Sequence, residues 1–388
     1  MKNLFMKKGK LFLLSTSQIP IPSNKGGAIE KLLFEIYKVL KKEFNIYIIS
    51  SEVSSKSVKY RVVKAMKLDN LFFRVLYEFY WGLKLSYLFW KEKPDIVHIN
   101  TPFNSFFPII MRFFYPNTKF IYTSHNPSWT VPDKELSFFN ILIEKIESFV
   151  MRRSDVVVAV SNTMKEGFIK KAKLSRTKIK VIYNFVDTKI FSPRYGKVWK
   201  KKNRLKGPIV LYVGKLTETK GVSYLIRSIP YVAKEIPNVN FVFVGGSYYG
   251  KKDNPYLDMI DKLEIKNNVF FVGPVNEKEL PLIYSSADVF VLPSMREAFG
   301  LVVVEALSSG VPVIVSKLQV FNEILNNEVG FYVPRNSPKH IACAIIKLLK
   351  DNNVRKKMSK NAKKRAIKFD KIKQIKKYKI LYESLLTI

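Results

Sequence analysis

Apolar and polar positions alternate along the chain in two kinds of block. Runs of five or six nearly continuous apolar residues occur at 10–15, 44–49, 95–99, 119–123 and 155–160. Between them, at 28–41, about 70–91 and about 135–152, apolar residues recur at helical spacing. After residue 208 the same logic returns. Strand-like runs stand at 209–213, 240–245, 269–272, 289–292 and 311–315, and a helix is predicted over 224–236. The helix before the last of these runs stops at Gly310, with Pro312 just beyond it. Long lysine-rich helices follow from about residue 338. Short apolar strands alternating with helices predict parallel sheets buried on both faces.

The pattern therefore predicts an α/β fold of two doubly wound domains facing across a cleft. The first spans 1–191, a basic linker covers 192–207, and the second spans 208–370. A last helix over 371–388 is expected to pack back toward the first domain. Ligands of doubly wound sheets bind beyond the carboxyl ends of the strands, so the cleft is the expected site.

A length of 388 residues suits two cores. The single cysteine, Cys343, forbids an intrachain disulfide and fits a reducing compartment. The lysine-rich start resembles the first part of a signal peptide, but the apolar stretch at 11–14 is too short to complete one, and it reads as the first strand. No uncharged run reaches the length of a membrane span. The net charge of +36 is extreme, and lysine is spread over the whole chain. It is densest at 197–206 and 350–388, which makes an anionic membrane surface a candidate partner. No zinc-finger spacing or RNA-binding aromatic signature accompanies it, so no specific nucleic-acid partner is expected. The helix over 71–90 carries nine aromatic residues in twenty. It reads as a sheet-packing helix, and its outer face, with 106–115, is the part suited to a membrane interface.

The candidate chemistry centres on two glutamates separated by seven residues. Glu297 lies on the loop after the strand at 289–292, and Glu305 lies on the helix beginning near Gly300. Two carboxylates beside a helix N-terminus suit a ligand with many hydroxyls and a diphosphate, such as a nucleotide-sugar. A second signal is the strand ending in Gly214, followed by Lys215 and Lys220. Gly26 and Gly27 open the first helix, where glycine permits close backbone approach. His125 follows the strand at 119–123, whereas His98 sits inside a strand and reads as structural, and His340 reads as a surface residue. Three scattered histidines and one cysteine predict no metal site.

In sequence the chain resembles the family-4, glycogen-synthase-like "group 1" retaining glycosyltransferases, whose two Rossmann-like domains form the arrangement called GT-B. The resemblance covers nearly the whole chain and is most specific over 273–323. There the segments at 273–275, 280–288 and 293–314 follow the family pattern in order. It implies that Glu297 meets donor-sugar hydroxyls and Glu305 the ribose. It places Lys215 and Lys220 on the diphosphate, and the amides of Phe299, Gly300 and Leu301 toward the donor. Gly26, Gly27 and Gly214 become donor loops, and His125 contacts the reacting sugar. Landmarks also match at Ser161, Asn162, Asn184 and Asp187, the last two suited equally to ordering the hinge or touching substrate. The chain departs from the pattern at Lys215, where the family usually has Arg. It departs again at 316–323, where a glycine pair before Glu323 is absent.

The implied activity is retaining, metal-independent transfer of a sugar from a UDP- or GDP-sugar to an acceptor hydroxyl of a lipid-linked or cell-surface glycan. No cofactor is expected. The implied setting is cytoplasmic, peripheral on the inner face of the cell membrane. Two other readings keep the fold: a nucleotide-sugar epimerase, and an inactive homologue that binds a partner or membrane.

Overall fold

The computed structural model describes residues 8–15, 21, 27–50, 60–62, 71–102, 106–125, 138–193, 196–246 and 256–387. The chain divides into two compact units, Met1–Asn184 with Ile372–Ile388, and Phe185–Lys371. No helix among the described residues is long and apolar enough to cross a membrane.

The first unit runs β1 (Lys10–Leu14), α1 (Ala28–Leu40), β2 (Asn45–Ser50), β3 (Tyr60–Val62), α2 (Leu71–Glu92) and β4 (Ile96–Ile99). It continues through α3 (Phe106–Met111), β5 (Lys119–Ser124), α4 (Phe138–Arg153), β6 (Val156–Ala159), α5 (Asn162–Lys171) and β7 (Ile179–Val181). The strands form one parallel sheet in the order β3-β2-β1-β4-β5-β6-β7. Its central strands are buried on both faces, with Phe12, Val97, Phe120 and Val157 fully enclosed, which is why they read as unbroken apolar runs. Helix α1 turns Leu33, Ile36 and Leu40 toward the core.

The second unit contains α6 (Gly196–Lys202), β8 (Ile209–Val213), α7 (Val222–Glu235), β9 (Asn240–Val244), α8 (Leu257–Lys262), β10 (Val269–Gly273) and α9 (Leu280–Ser286). Then come β11 (Val289–Leu292), α10 (Leu301–Ser308), β12 (Val313–Ser316), α11 (Phe321–Ile324), β13 (Gly330–Val333), α12 (Pro338–Lys350) and α13 (Asn352–Ala366). Its parallel sheet has the order β10-β9-β8-β11-β12-β13. The last helix, α14 (Lys371–Leu386), carries the chain back into the first unit. There Tyr382 packs on Phe44, with ring centroids 5.8 Å apart.

Aspartates at strand starts hold the register. Asp155 Oδ2 accepts from the Phe120 amide at 2.7 Å, and Asp288 Oδ2 from the Ile209 amide at 2.8 Å. Each carboxylate thus ties its own strand to the start of the neighbouring one.

The described residues within 192–207 carry structure of their own. Helix α6 packs on α9, and Trp199 is only 3% exposed. One buried indole anchors a segment whose lysines make it read as a linker, and the segment belongs to the second unit. Val186 pairs with Asp370 in an isolated bridge. Beside it, Asp187 accepts from Lys371 Nζ at 2.6 Å and from the Lys189 amide at 3.1 Å. Burial pushes the Asp187 carboxyl up, but the Lys371 charge and these hydrogen bonds outweigh it and hold the carboxyl below its usual range.

Candidate functional site

In the second sheet the strand order reverses between β8 and β11. At such a switch point the loops leaving adjacent carboxyl ends part, and a ligand crevice opens. Gly214, Lys215 and Lys220 follow β8, and Glu297 follows β11. Lys220 Nζ donates to Glu297 Oε1 at 2.5 Å, and the pair is 30% and 10% exposed respectively. Ser294 Oγ donates to the same carboxylate oxygen at 3.2 Å. The two loops are also joined through backbone, the Met295 amide donating to the Thr219 carbonyl at 2.9 Å.

Gly221 makes this approach possible. It ends the 3-10 turn Glu218–Lys220 with φ +73° and starts α7. A Cβ there would lie 2.0 Å from the Pro293 carbonyl oxygen, a separation no side chain can accept. Before it, Gly214 has φ +155°, and the Tyr212 hydroxyl donates to the Lys215 carbonyl at 2.7 Å. The Lys215 ammonium is pulled below its usual range, first by desolvation and then by the charge of Lys220. The crevice therefore holds two mutually repelling cations that a polyanion would relieve.

Glu305 lies on α10. Its Oε2 accepts from the Tyr284 hydroxyl at 2.7 Å. Tyr284 is fully buried on α9 and packs edge-on against Phe191 at 5.7 Å. Burial and then the Glu305 charge push the Tyr284 hydroxyl well above its usual range, so it stays a donor. Gly300 heads α10 with φ +97°, and a Cβ there would meet the Phe321 ring at 2.8 Å. Leu301 begins the helix; the Val303 and Val304 amides donate to the Gly300 carbonyl at 3.0 and 3.4 Å, and the amides ahead of them have no carbonyl one turn back within the helix. Phe299 is 2% exposed and packs on Phe369 at 5.6 Å, so its side chain belongs to the core. Where the glycine pair is missing, Ser316 is buried, and α11 places Phe321 beneath Gly300.

In the first sheet the order reverses between β1 and β4. Asn100, 3% exposed, bridges this point by donating from Nδ2 to the Leu14 carbonyl at 3.2 Å. Its Oδ1 lies 3.3 Å from His125 Nε2. Burial pulls His125 down to about 4, so its ring is neutral at physiological pH. Beneath it, Ser124 Oγ and the Tyr122 hydroxyl donate to the buried Glu147 Oε1 at 2.7 and 2.9 Å. His98 is enclosed within β4, its ring nitrogens 2.8 Å from the Tyr382 hydroxyl and 2.7 Å from Thr123 Oγ1. That is a structural role. Ser161 caps α5, accepting from the Met164 amide at 3.1 Å. Gly27 caps α1 with φ +95°, while Gly26 lies outside the described residues.

The fold thus brings Lys220 into contact with Glu297 and sets Lys215 beside them, and it fixes Glu305 on a separate partner. Sequence reasoning missed Ser294, Tyr284, Asn100 and Glu147. Asn100 had a readable signal, standing directly after a strand at the sheet's carboxyl edge. Among the described residues, no group of three or more His, Cys, Asp or Glu is placed to hold a metal ion.

Two family models match, "Glycosyl transferases group 1" over residues 197–365 and "Glycosyltransferase Family 4" over residues 26–190. Spore coat protein SA of Bacillus subtilis is 28% identical over 374 residues, covering 92% of this chain and 94% of that protein. The capsular polysaccharide biosynthesis glycosyltransferase CapM of Staphylococcus aureus is 29% identical over 370 residues, covering 93% of each. The crystal structure of HepE of Anabaena in complex with UDP and glucose superposes with a TM-score of 0.77 at 21% identity. That match covers 98% of this chain and 100% of HepE, and it places the chain in the same two-domain α/β architecture.

Proposed function

The chain belongs to the group 1 glycosyltransferases with the GT-B fold, and we propose that it moves a sugar from a UDP- or GDP-sugar to a hydroxyl of a lipid-linked or cell-surface glycan, with retention and without a metal. The observation that carries the donor assignment is the grouping of Lys215, Lys220 and Glu297 at the switch point of the second sheet. Glu297 occupies Lys220 much as a phosphate oxygen would. In this reading the donor diphosphate takes Lys220 and Lys215, and Glu297 turns to the sugar hydroxyls. Glu305, steadied by Tyr284, accepts from the ribose hydroxyls, and the amides at the start of α10 face the donor. Gly214 and Gly27 let backbone approach the ligand.

Breaking the bond to the diphosphate develops negative charge on the leaving group. Two fixed cations in a partly desolvated crevice stabilise that charge without needing to reorganise. This supports reading the transfer as metal-independent. In the first unit we assign the reacting-sugar contact to His125, whose neutral ring is oriented by Asn100. HepE was solved with UDP and glucose, and CapM is named for capsular polysaccharide synthesis. Those names support a UDP-sugar donor and a surface-glycan acceptor. The one cysteine, Cys343, is free and fits action in a reducing cytoplasm.

The test is thermal unfolding of the wild type and Glu305→Ala with a panel of UDP-, GDP- and ADP-sugars. A ligand at about 100 times its Kd adds about 2.7 kcal/mol. One nucleotide class should raise the wild-type Tm and leave the variant unmoved, whereas no response from saturated, folded wild type removes the donor reading. With the donor known, NMR of the product's anomeric centre reports retention, and turnover in excess EDTA reports metal independence.

A further inference from the structure

In a parallel sheet every segment that enters a strand lies at one edge, opposite the carboxyl edge where ligands bind. In the first unit that amino edge has an unusual composition. Phe114, Phe113 and Trp90, at 71%, 69% and 65%, are the three most exposed large apolar side chains among the described residues. All three lie there. Trp90 stands just before β4, and the two phenylalanines occupy the turn before β5.

Strands β4 and β5 are neighbours, which brings the segments that carry these aromatics side by side. Phe89 and Tyr115, next in sequence to Trp90 and Phe114, have ring centroids 6.3 Å apart. The Phe113–Phe114 turn is anchored from behind. Arg112 makes a two-pronged pair with Asp155, each contact 2.8 Å. The Arg153 guanidinium, before β6, stands 5.6 Å over the Phe113 ring. The turn thus holds two phenyl rings outward on a fixed base.

The same edge is cationic. Lys91 and Lys93 follow Trp90 and, with Lys8 and Lys41, line a cleft of about 750 Å³. Arg152 and Arg153 continue the charge toward β6. The acids of this edge are engaged: Glu92 pairs with the Lys10 ammonium, Asp95 accepts from the Lys10 amide at 2.6 Å, Glu43 pairs with Lys379, and Asp155 pairs with Arg112.

We propose that the amino edge of the first sheet is a docking surface for a bilayer containing anionic phospholipid. Phe113, Phe114 and Trp90 enter the interfacial layer, and the surrounding lysines and arginines meet the phosphates. Aromatic rings favour the water–lipid boundary, and each basic residue near an anionic surface adds attraction. A second copy of the chain is a poor occupant, since two molecules of net charge +36 repel each other. The surface lies at the edge opposite Asn100 and His125 and shares no residue with the donor crevice, so it stands independently of the donor reading.

The test is flotation of the full chain with phosphatidylcholine vesicles, with and without phosphatidylglycerol, at physiological salt. Three variants are compared with the wild type. Trp90→Ser/Phe113→Ser/Phe114→Ser removes the rings and keeps the charge. Lys91→Glu/Lys93→Glu reverses charge on the edge. Lys356→Glu/Lys357→Glu makes the same reversal on exposed positions of α13. The wild type should float only with anionic vesicles. The first two variants should partition about tenfold more weakly or worse, while the α13 variant keeps wild-type partitioning. Thermal stability and donor-induced stabilisation should be unchanged in all, which separates loss of docking from loss of fold or of donor binding. Wild-type partitioning by the aromatic variant overturns the proposal. So does an equal loss in the α13 variant, equal flotation with neutral vesicles, or preferential binding of single-stranded RNA through the same residues.

Discussion

Lys220 and Glu297 are 77 residues apart in sequence, and their charged atoms are 2.5 Å apart at the switch point of the second sheet. The pair keeps both charges satisfied in a crevice that partly desolvates them, and either partner can be claimed by a ligand carrying phosphates and hydroxyls. Lys220→Met is expected to lower kcat/KM by about a hundredfold or more, since it removes a cation aimed at leaving-group charge. Removing the ammonium leaves the Glu297 carboxylate, 10% exposed, with the Ser294 hydroxyl, so stability should also fall, by about 1–3 kcal/mol. Steady-state kinetics beside thermal unfolding checks both. A kcat/KM within about threefold of wild type would take Lys220 off the diphosphate.

Tyr284 offers a sharper separation of binding from chemistry. Its hydroxyl holds one oxygen of Glu305 at 2.7 Å from a fully buried position. Tyr284→Phe keeps the packing and removes only the donor. A hydrogen bond to a charged group contributes about 1.5–3 kcal/mol. The nucleotide-sugar Kd should rise about tenfold, with kcat nearly unchanged. A fall in kcat at unchanged Kd would contradict the assignment of Glu305 to the ribose.

Much of this architecture was legible in the chain, and the exceptions share causes. Strands β1, β4, β8 and β11 are buried on both faces, so their apolar runs were unmistakable. Strands β3 and β7 have only three residues, and β13 opens on a glycine and is buried only at its two ends, so none stands out as a buried apolar run. Helix α6 was hidden by its lysines, because one buried Trp199 fixes it. At the site, the motif spacing around Glu297 and Glu305 and the loop with Lys215 and Lys220 could be read. Their partners could not. Tyr284 looks like core, and it is core; only its hydroxyl serves the site. The amino-edge aromatics belong to stretches whose richness in aromatics is plain in the sequence. Which of them face solvent depends on how α2 and α3 pack, and that is not a property of local sequence.

Gly221→Ala tests whether the donor loops need their close approach. The φ of +73° alone costs a side chain about 1 kcal/mol. The clash with the Pro293 carbonyl, 2.0 Å from the added carbon, must also be relieved by moving one loop. The expected outcome is a loss of about 2–4 kcal/mol in urea unfolding and weaker nucleotide-sugar binding. If stability falls and donor affinity does not, the loops can separate without consequence for the site.

His98 predicts how the first unit responds to acid. Burial, and then the neighbouring His125, pull its pKa from 6.5 to about 3. Around its ring stand Tyr382 and Tyr378 from α14 and Thr123 from β5, and none supplies a negative charge to offset a proton. The folded chain therefore refuses a proton that the unfolded chain accepts. Stability from this group is complete above 6.5 and falls progressively as pH drops toward about 3. By about pH 5 the loss should reach about 2 kcal/mol from His98 alone. That interval lies mostly above the carboxylate range, so acids contribute little to it. His98→Gln removes the titration while keeping hydrogen-bonding atoms for Tyr382 and Thr123. Its absolute stability should be lower, but the slope of unfolding free energy between about pH 7 and about pH 5 should be flatter than in wild type. Equal slopes in denaturant titrations of the two proteins would mean that His98 accepts its proton without cost and that the enclosure around it is looser than its contacts imply.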